Sequence, residues 1–465
     1  MKGPKRDHVA SLVVTALSAA FGVGLIQATA ILATVISADD IASRSSVQLA
    51  LAMVAAVFIM IAVYVGSIVT ANTFATIIAG RTRTIALVRL IGATAAAQRR
   101  AVAKEGLAVG LLGSALGAVA GVLLSAGGIR LAAASGLVPQ LDYPVVDPLI
   151  VLPAVIVVLS TWAASWVGSR RVLEVSPMQA TGAAVEAPRE VVLRRPVRNA
   201  IAGILGVGGA VILAAGVALG LVSPFGFLVA FLGGITSFSG IVLAAHIVIP
   251  PILRAAGRIL GAGAPARLAA ESGLRHPERS ARTAIGLVIG VTLVTTFAVA
   301  TQGYLDMITR SQAESPESYG GGVDELLVVT VGIFSALIGF SAVTAAFGMI
   351  NTLSLSVLQR SRELGLLRAL GFTSRQVRSM IVAESIQLTV AGVGFGVVLG
   401  VVYGWAGAQS LLGAIEGSPG LVWPSVPWML VLAVILGAAI ITLLAAQFPA
   451  RRATRVSPVA ALAVD

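Results

Sequence analysis

One polar segment occurs twice in this chain. Residues 71–121 read ANTFATIIAGRTRTIALVRLIGATAAAQRRAVAKEGLAVGLLGSALGAVAG, and residues 350–400 read INTLSLSVLQRSRELGLLRALGFTSRQVRSMIVAESIQLTVAGVGFGVVLG. A constant offset of 279 places Arg89 on Arg368 and Gly92 on Gly371 without a gap. Apolar segments resemble one another by composition alone, but coincident charges and glycines indicate a common origin. The chain is therefore built from a duplicated module.

The composition predicts a membrane protein. Of the 465 residues, 57% are hydrophobic and 11% are charged, and the mean hydropathy is +0.97. Soluble domains contain about twice that share of charged residues. The chain has no Cys and only three His, which argues against a disulfide framework, thiol chemistry and a metal site. We expect an all-α polytopic membrane protein with no catalytic residue and no metal.

Ten apolar stretches have the length of about 20 residues that a helix needs to cross a bilayer. They lie near residues 9–36, 47–79, 105–130, 148–169, 199–221, 226–252, 284–305, 326–358, 385–411 and 427–449. Spans 1–4 and 7–10 are predicted to form two parallel four-helix repeats, joined by an extra helix pair, spans 5 and 6. We place the first unit at 1–185, the linker with the extra pair at 186–265, and the second unit at 266–465. Related tails close the two units at an offset of 281: SRRVLEVSPMQA at 169–180 and ARRATRVSPVAA at 450–461.

Basic residues are concentrated on one side of this predicted topology. The N-terminus, every second connection and the C-terminal tail contain 29 of the 32 Lys and Arg residues, and the other side has only Arg44, Arg130 and Arg310. The positive-inside rule then places both termini in the cytoplasm, across a bacterial cytoplasmic membrane. This bias also explains the net charge of +12 without nucleic-acid binding. A cleaved signal peptide is the alternative at the N-terminus, but the apolar run from Val9 is too long for one.

Glycines four residues apart predict a close helix contact in each unit. Such glycines form a stripe on one helix face, where two backbones can approach each other. They are Gly113, Gly117 and Gly121 in span 3, and Gly392, Gly396, Gly400 and Gly404 in span 9.

The repeated polar segment follows spans 2 and 8 on the predicted cytoplasmic side. In the second copy, Leu364 and Leu367 recur at helical spacing, and Gly371 is a natural C-cap. Thr373 and Gln376 then form the pattern of a capping box for the next helix. We interpret the segment as a short amphipathic helix that docks a partner at the membrane surface. The alternative is an ordinary positively charged loop.

The second copy, RSRELGLLRALGFTSRQV, resembles the signature of the FtsX/MacB-like ABC permeases (the type VII superfamily), and the tail RRATRVSPVAAL is similar to their closing segment. The resemblance covers both four-span units and indicates a ten-span subtype with two FtsX domains. It implies a separate ATPase to which the short helix of each unit couples the membrane domain. The coupling role falls by resemblance on Arg81, Arg83, Leu87, Arg89 and Gly92, and on Arg360, Arg362, Glu363, Leu367, Arg368 and Gly371. Thr84 stands where the second copy has Glu363, so the two sites differ.

The partners follow from this resemblance and from the lysines. A P-loop needs a Lys after a Gly-rich run, and none of Lys2, Lys5 and Lys104 is in such a context. We therefore expect no cofactor on this chain, with ATP and Mg bound by the partner ATPase. Two coupling segments predict two ATPase copies per permease chain. Membrane lipid is the other expected partner.

Three functions fit this description. The first is export or extraction of an amphipathic or lipid-like substrate, such as an antimicrobial peptide, a hydrophobic drug, a lipid or a lipoprotein. The second is a mechanotransmission regulator of an extracytoplasmic partner, which the short outer segments at about 37–46 and 306–325 disfavour. The third is an ion-coupled transporter, which the absence of paired mid-span charges disfavours. His246 in span 6 is either a functional ionisable group or a residue bonded to a neighbouring helix.

Overall fold

The computed structural model describes most of the predicted spans. The described residues are 5–37, 87–88, 91–136, 140–144, 146, 148–169, 195–259, 277–314, 370–414 and 420–453, with single positions between 60 and 68 and between 331 and 346. Regular structure within these ranges is helical and contains no strand. Its helices are α1 (Lys5–Ser37), α2 (Ala95–Ala134), α3 (Val151–Gly168), α4 (Pro196–Gly220), α5 (Gly226–Leu243), α6 (Ala245–Ile259), α7 (Pro277–Glu314), α8 (Ser374–Leu412) and α9 (Trp428–Ala453), with a short 3-10 helix at Pro148–Ile150.

Seven of these helices are long and apolar enough to cross a membrane, namely α1, α2, α3, α4, α5, α7 and α8. The apolar part of α9 is shorter, at Trp428–Leu443. Eight predicted spans therefore coincide with helices, and the all-helical class is confirmed. The spans predicted at 47–79 and 326–358 lie almost entirely outside the described residues. The total of ten spans and the arrangement of the repeats remain predictions.

The chain divides into two compact units. One contains Met1–Ala184, Tyr304–Phe340 and Ala414–Gly420, and the other contains Val185–Gly303, Ser341–Gly413 and Leu421–Asp465. In the first unit, α2 packs between α1 and α3, because glycines on its faces admit both neighbours. A side chain at Gly117 would overlap Ala16 of α1, and one at Gly106 would overlap Ser165 of α3.

Helices α7, α8 and α9 share an apolar core in the second unit. Leu287 and Val291 of α7 cluster with Val393 of α8 and Ala438 of α9. The hydroxyls of Thr389 and Thr442 are 2.7 Å apart and join α8 to α9 in a buried position. Interhelical hydrogen bonds of this kind are one source of helix association in a bilayer. The hydrophobic effect does not drive helices together there, because lipid tails are as apolar as the helix surfaces.

The extra helix pair packs tightly and is attached to α8. Added side chains at Gly216 of α4 and Gly233 of α5 would overlap the backbone of the facing helix. The pair meets α8 through a 2.9 Å hydrogen bond between the hydroxyls of Ser237 and Tyr403. From α6, the Leu253 carbonyl accepts a hydrogen bond of 2.8 Å from Gln387 Nε2. These bonds fasten span 9 to the helices that have no counterpart in the repeat.

The stretch predicted as one span at 226–252 forms two consecutive helices, and hydrogen bonds continue across Ala244: its N–H donates to the Gly240 carbonyl at 2.8 Å, and its carbonyl accepts from the Val248 N–H at 3.0 Å. Helix α5 ends at Leu243 and α6 begins at Ala245. Pro250 and Pro251 lie inside α6 and cannot donate to the carbonyls four residues earlier, which weakens the helix over this turn. Buried His246 lies beside the junction of α5 and α6. Its Nδ1 is 3.1 Å from the Leu243 carbonyl oxygen, and its Nε2 is 3.0 Å from Asn199 Oδ1 on α4.

Candidate coupling site

Three of the eleven predicted coupling residues belong to the described part of the chain. They are Leu87, Gly92 and Gly371. The other eight lie outside the described residues: Arg81, Arg83, Arg89, Arg360, Arg362, Glu363, Leu367 and Arg368. The described part of the site consists of the turn at the end of each segment and the helix that follows it.

In the first copy, this turn has the hydrogen bonds of a helix C-terminus. The Ile91 N–H donates to the Leu87 carbonyl at 3.2 Å, and the Ala93 N–H donates to the Val88 carbonyl at 3.2 Å. The second bond spans six residues, as in a Schellman motif with glycine at C′. Gly92 occupies that position with φ +103°, a conformation that side chains disfavour. A turn of this kind is the usual end of a helix, and the described residues 87–88 before it are helical.

The second copy has a glycine of the same backbone conformation at the corresponding position. Gly371 has φ +99°, and the next helix begins three residues later. The predicted capping box is confirmed: the Gln376 N–H donates to Thr373 Oγ1 at 3.3 Å, and the Thr373 N–H donates to Gln376 Oε1 at 2.9 Å. In the first copy, Thr94 Oγ1 accepts from the Ala97 N–H at 3.1 Å. Helices α2 and α8 therefore start at positions separated by the repeat offset.

A large apolar side chain is exposed immediately before the glycine in each copy. Ile91 is 85% exposed and Leu370 is 71% exposed. We call these two residues the coupling tips. They are missing from the eleven residues assigned by resemblance. The signal that could have found them is position, because the last residue before a C′ glycine has few helix neighbours to cover it.

The glycine stripes of α2 and α8 each lie along one other helix. A side chain at Gly117 would lie 2.8 Å from Ala19 Cβ of α1, and one at Gly396 would lie 2.9 Å from Val291 Cβ of α7. The remaining stripe residues meet the same partners: Gly113 and Gly121 meet α1, and Gly392, Gly400 and Gly404 meet α7. These contacts are closer than ordinary van der Waals packing around a Cβ. They leave room for glycine only.

The contacts of the glycine stripes also show which residues of α1 and α7 occupy equivalent positions in the two copies. Equivalent glycines differ by 279, whereas the residues they meet, such as Ala19 and Val291, differ by 272. The second copy therefore has seven more residues between the contact helix and the glycine helix. The outer segments expected from the sequence differ in the same direction, with about ten residues at 37–46 and about twenty at 306–325.

A match to a family model shows which family the chain belongs to. The model described as FtsX-like permease C-terminal matches residues 56–177 and again residues 335–458, together just over half of the chain. The chain belongs to the FtsX-like permease family. The two matched regions begin 279 residues apart and end 281 residues apart, the offsets found in the repeated segment and in the tails. The resemblance to FtsX/MacB-like ABC permeases is thereby confirmed, and the chain is a multi-pass membrane protein.

Relatives of this FtsX-like permease match over shorter regions. The uncharacterized ABC transporter permease YknZ of Bacillus subtilis is 30% identical over 154 residues, which are 32% of this chain and 36% of that protein. The uncharacterized ABC transporter permease MJ1507 of Methanocaldococcus jannaschii is 27% identical over 158 residues, 34% of this chain and 37% of the other. The macrolide export ATP-binding/permease protein MacB of Bdellovibrio bacteriovorus is 27% identical over 130 residues, 28% of this chain and 19% of the other. The matches span little more than a third of the first two relatives.

The two copies in this permease differ near the starts of α2 and α8, the helices that follow the turns at Gly92 and Gly371. The Arg99 guanidinium of α2 lies 4.2 Å from the ring centre of Trp166 on α3, and its Nε donates to Ser169 Oγ at 3.3 Å. Arg378 is the equivalent of Arg99, but Gln447 stands where the tail offset places the equivalent of Trp166. The same cation–π contact cannot form with an amide. The base of α2 is therefore tied to the next span in a way that the base of α8 is not.

Proposed function

We propose that this chain is the membrane subunit of an ABC exporter. It couples ATP hydrolysis by a separate ATPase, which binds ATP and Mg, to export or extraction of an amphipathic or lipid-like substrate. The observation that carries the proposal is the pair of coupling tips, each held by a glycine turn directly before a long apolar helix. Family membership supports it, as does the MacB relative, whose name joins ATP binding and permease in one protein.

The coupling tips provide the contact that this function needs. Burying a Leu or Ile side chain contributes roughly 1.5–3 kcal/mol, whereas leaving it in water contributes nothing. Ile91 ends a turn whose hydrogen bonds hold its backbone, so little order is lost when a partner covers it. Force applied to a tip reaches α2 or α8 through the N-cap threonine, which lies three residues away in each copy.

The sharpest experiment truncates the coupling tips. Leu370→Ala is expected to weaken ATPase binding about tenfold, because the lost apolar contact is worth roughly 1–2 kcal/mol. Leu370→Met conserves volume and apolar surface, so it should bind as the unmodified chain does. Binding is measured by titrating the ATPase onto the permease in nanodiscs, together with substrate-stimulated hydrolysis. Unchanged binding and hydrolysis in an Ile91→Ala/Leu370→Ala double variant would reject the tips as the coupling contact.

Charge reversal tests the residues assigned by resemblance. Arg368→Glu should impair coupling, since it places repulsion where a charged or hydrogen-bonded contact is expected. Arg89→Glu should have a smaller effect, because the first copy has Thr84 at the position where the second copy has the acidic residue Glu363. Both variants should insert normally, as one charge among 29 hardly changes the inside bias. A double variant with normal hydrolysis and transport would remove the basis for the assignment.

The proposal includes ten spans with both termini in the cytoplasm. The chain has no Cys, so single cysteines report accessibility without background. Cysteines at Asp40, Asp142 and Glu317 should react with an impermeant reagent from outside, and those at Ser176 and Ser374 should not. Labelling of the last two from outside would overturn this topology.

Transport is separated from mechanotransmission by measuring both outputs of one complex. Reconstituted permease and ATPase should move a fluorescent amphipathic peptide or lipid out of the bilayer only while ATP is hydrolysed. Hydrolysis that responds to an extracytoplasmic partner but moves neither probe would favour the regulator. The short outer segments give such a partner little surface, which is why the exporter is preferred.

A further inference from the structure

A short loop between α8 and α9 presents large apolar side chains on its surface. We call residues 421–427 the tryptophan loop; it ends at Trp428, the first residue of α9. Trp423 is 90% exposed and Leu421 is 65% exposed, and Trp428 and Met429 directly after the loop are 74% and 86% exposed. Exposed apolar patches of this kind mark contacts with a membrane or with another protein.

Two side chains of α8 hold the tryptophan loop by its backbone. The Val422 N–H donates to Gln409 Oε1 at 2.9 Å, and the Val422 carbonyl accepts from Trp405 Nε1 at 2.6 Å. Gln409 is buried, so its amide is fixed by the packing around α8. The ring of Pro424 restricts the backbone on the other side of Trp423. Trp423 is therefore presented from a fixed backbone although its own side chain is uncovered.

The equivalent connection of the first copy has a different chemistry. An offset of 280, between the 279 of the glycine stripes and the 281 of the tails, places Tyr143 on Trp423 and Pro144 on Pro424. Tyr143 follows Asp142, a carboxylate with an exposed side chain. The tryptophan loop has no charged residue.

The contacts that hold the loop are also specific to the second copy. At the glycine-stripe offset of 279, Ala126 stands in place of Trp405, and Arg130 stands in place of Gln409. The Ala side chain has no donor and the Arg side chain has no acceptor, so neither can make the corresponding bond. The exposed tryptophan and the two side chains that hold its loop thus occur together in one copy and are missing together from the other.

The chemistry of this surface favours lipid over protein as its occupant. Protein interfaces surround an apolar centre with a polar rim, but residues 417–450 contain no Asp, Glu, Lys, Arg or His. The exposed apolar surface continues along α9 through Leu432, Leu436 and Ile440, which recur every four residues. In a multi-pass membrane protein, such a stripe faces acyl chains. Tryptophan is enriched where this lipid face meets the head groups, because its ring is apolar and its indole N–H is polar.

We propose that the tryptophan loop is a membrane anchor that lies in the lipid head-group region at the N-terminal end of α9. The rings of Trp423 and Trp428 contact the upper parts of the acyl chains. Trp405 and Gln409 are positioning residues that connect this anchor to α8, so the end of α8 is held at a defined depth in the bilayer. The anchor needs neither ATPase nor transported substrate, and it stands or falls separately from the proposed function.

Tryptophan fluorescence of the full chain in proteoliposomes tests the proposal. The quenchers are phosphatidylcholine brominated at a shallow or a deep acyl position, and acrylamide in the water. The chain has five Trp residues, so the difference between the unmodified chain and Trp423→Phe is the emission of Trp423. This emission should lose more intensity to shallow than to deep bromines, and little to acrylamide. Trp423→Phe alters only an exposed side chain, so the variant should unfold at an unchanged temperature.

The first copy offers a matched probe. Tyr143→Trp places an indole at the position equivalent to Trp423, next to the exposed carboxylate of Asp142. Its added emission should lose intensity to acrylamide and hardly any to brominated lipid, because a charged side chain keeps its connection in water.

Gln409→Leu tests the positioning role. It retains Trp423 but removes the acceptor of the Val422 N–H, so the tryptophan loop should sample several depths. The ratio of shallow to deep quenching, taken as the difference between Gln409→Leu and Gln409→Leu/Trp423→Phe, should fall toward one. A merely structural loss at Gln409 would lower stability without changing this ratio.

Three results would overturn the proposal. Quenching of Trp423 by acrylamide but not by brominated lipid would place the tryptophan loop in water, where a protein partner is its occupant. Protection from both quenchers that disappears as the protein is diluted in lipid would identify a second copy of the chain as the occupant. A shallow-to-deep ratio that stays the same in Gln409→Leu would remove the positioning role. If Gln409→Leu fails to fold, the comparison of Trp423 with Tyr143→Trp decides the question.

Discussion

Glycine-to-alanine substitutions on α2 and α8 should change stability in opposite directions depending on which helix face they occupy. A Cβ at Gly117 would overlap the Ala16 carbonyl, whereas a Cβ at Gly127 of the same helix would have no atom within 4 Å. On α8, a Cβ at Gly396 would lie 3.2 Å from the Val288 carbonyl oxygen, and one at Gly394 would again have nothing within 4 Å. Each helix therefore contains its own control.

The magnitudes follow from two competing terms. Alanine in place of a helical glycine stabilises by about 0.5–1 kcal/mol when space is free, because the unfolded chain loses conformational freedom. Overpacking a close contact costs about 1–3 kcal/mol. Gly127→Ala and Gly394→Ala should thus stabilise slightly, and Gly117→Ala and Gly396→Ala should destabilise. Gly117→Ala should be the worse of the two, since it meets a backbone carbonyl that cannot turn aside, whereas the closest atom to Gly396 belongs to a side chain.

Reversible unfolding in mixed micelles, followed by helical circular dichroism, measures these differences. The expected gap between the contact and control variants of one helix is about 1.5–4 kcal/mol, the sum of the two terms. Under the proposed function, loss of ATP-driven transport should follow the same order, because α2 and α8 begin directly after the turns at Gly92 and Gly371. If Gly117→Ala were as stable as Gly127→Ala, the close approach of α2 to α1 would be refuted, and equal results at Gly396 and Gly394 would refute it for α8.

Three further predictions concern other contacts. Arg99→Gln should destabilise the permease by about 1 kcal/mol through loss of the contact between Arg99 and Trp166. The control Arg100→Gln, at an exposed position, should change the unfolding midpoint little. Equal unfolding midpoints for the two variants would contradict this prediction. Gln409 is buried, and its Oε1 accepts a hydrogen bond from the Val422 N–H at 2.9 Å. Gln409→Leu should therefore leave that N–H unpaired and lower the free energy of unfolding by about 1–3 kcal/mol. Amide hydrogen exchange at Val422 that stays as slow as before would argue against this prediction. Mass measurement of the purified complex should give one permease chain with two ATPase subunits, and two permease chains per ATPase pair would reject that stoichiometry.

Local features were predictable because their causes lie within a few residues. The helix starts at Thr94 and Thr373 depend on side chains bonding to N–H groups three residues away, and the turns at Gly92 and Gly371 depend on one permitted φ. Hydropathy located the helices because a bilayer requires about 20 apolar residues with satisfied backbone bonds. The same reasoning did not show that the stretch at 226–252 divides into two consecutive helices at Ala244, since apolar residues continue through it.

The sequence by itself determined the duplication, the helical class, the caps and the glycine stripes of this permease. Only the tertiary structure decided which helices those stripes meet, that the extra pair holds α8 through Ser237 and Tyr403, and that His246 bonds to Asn199. The physical reason is that most helix faces here are apolar, so hydropathy does not distinguish a face against lipid from a face against protein. Shape and a few interhelical hydrogen bonds make that choice, and both exist only once the helices are packed.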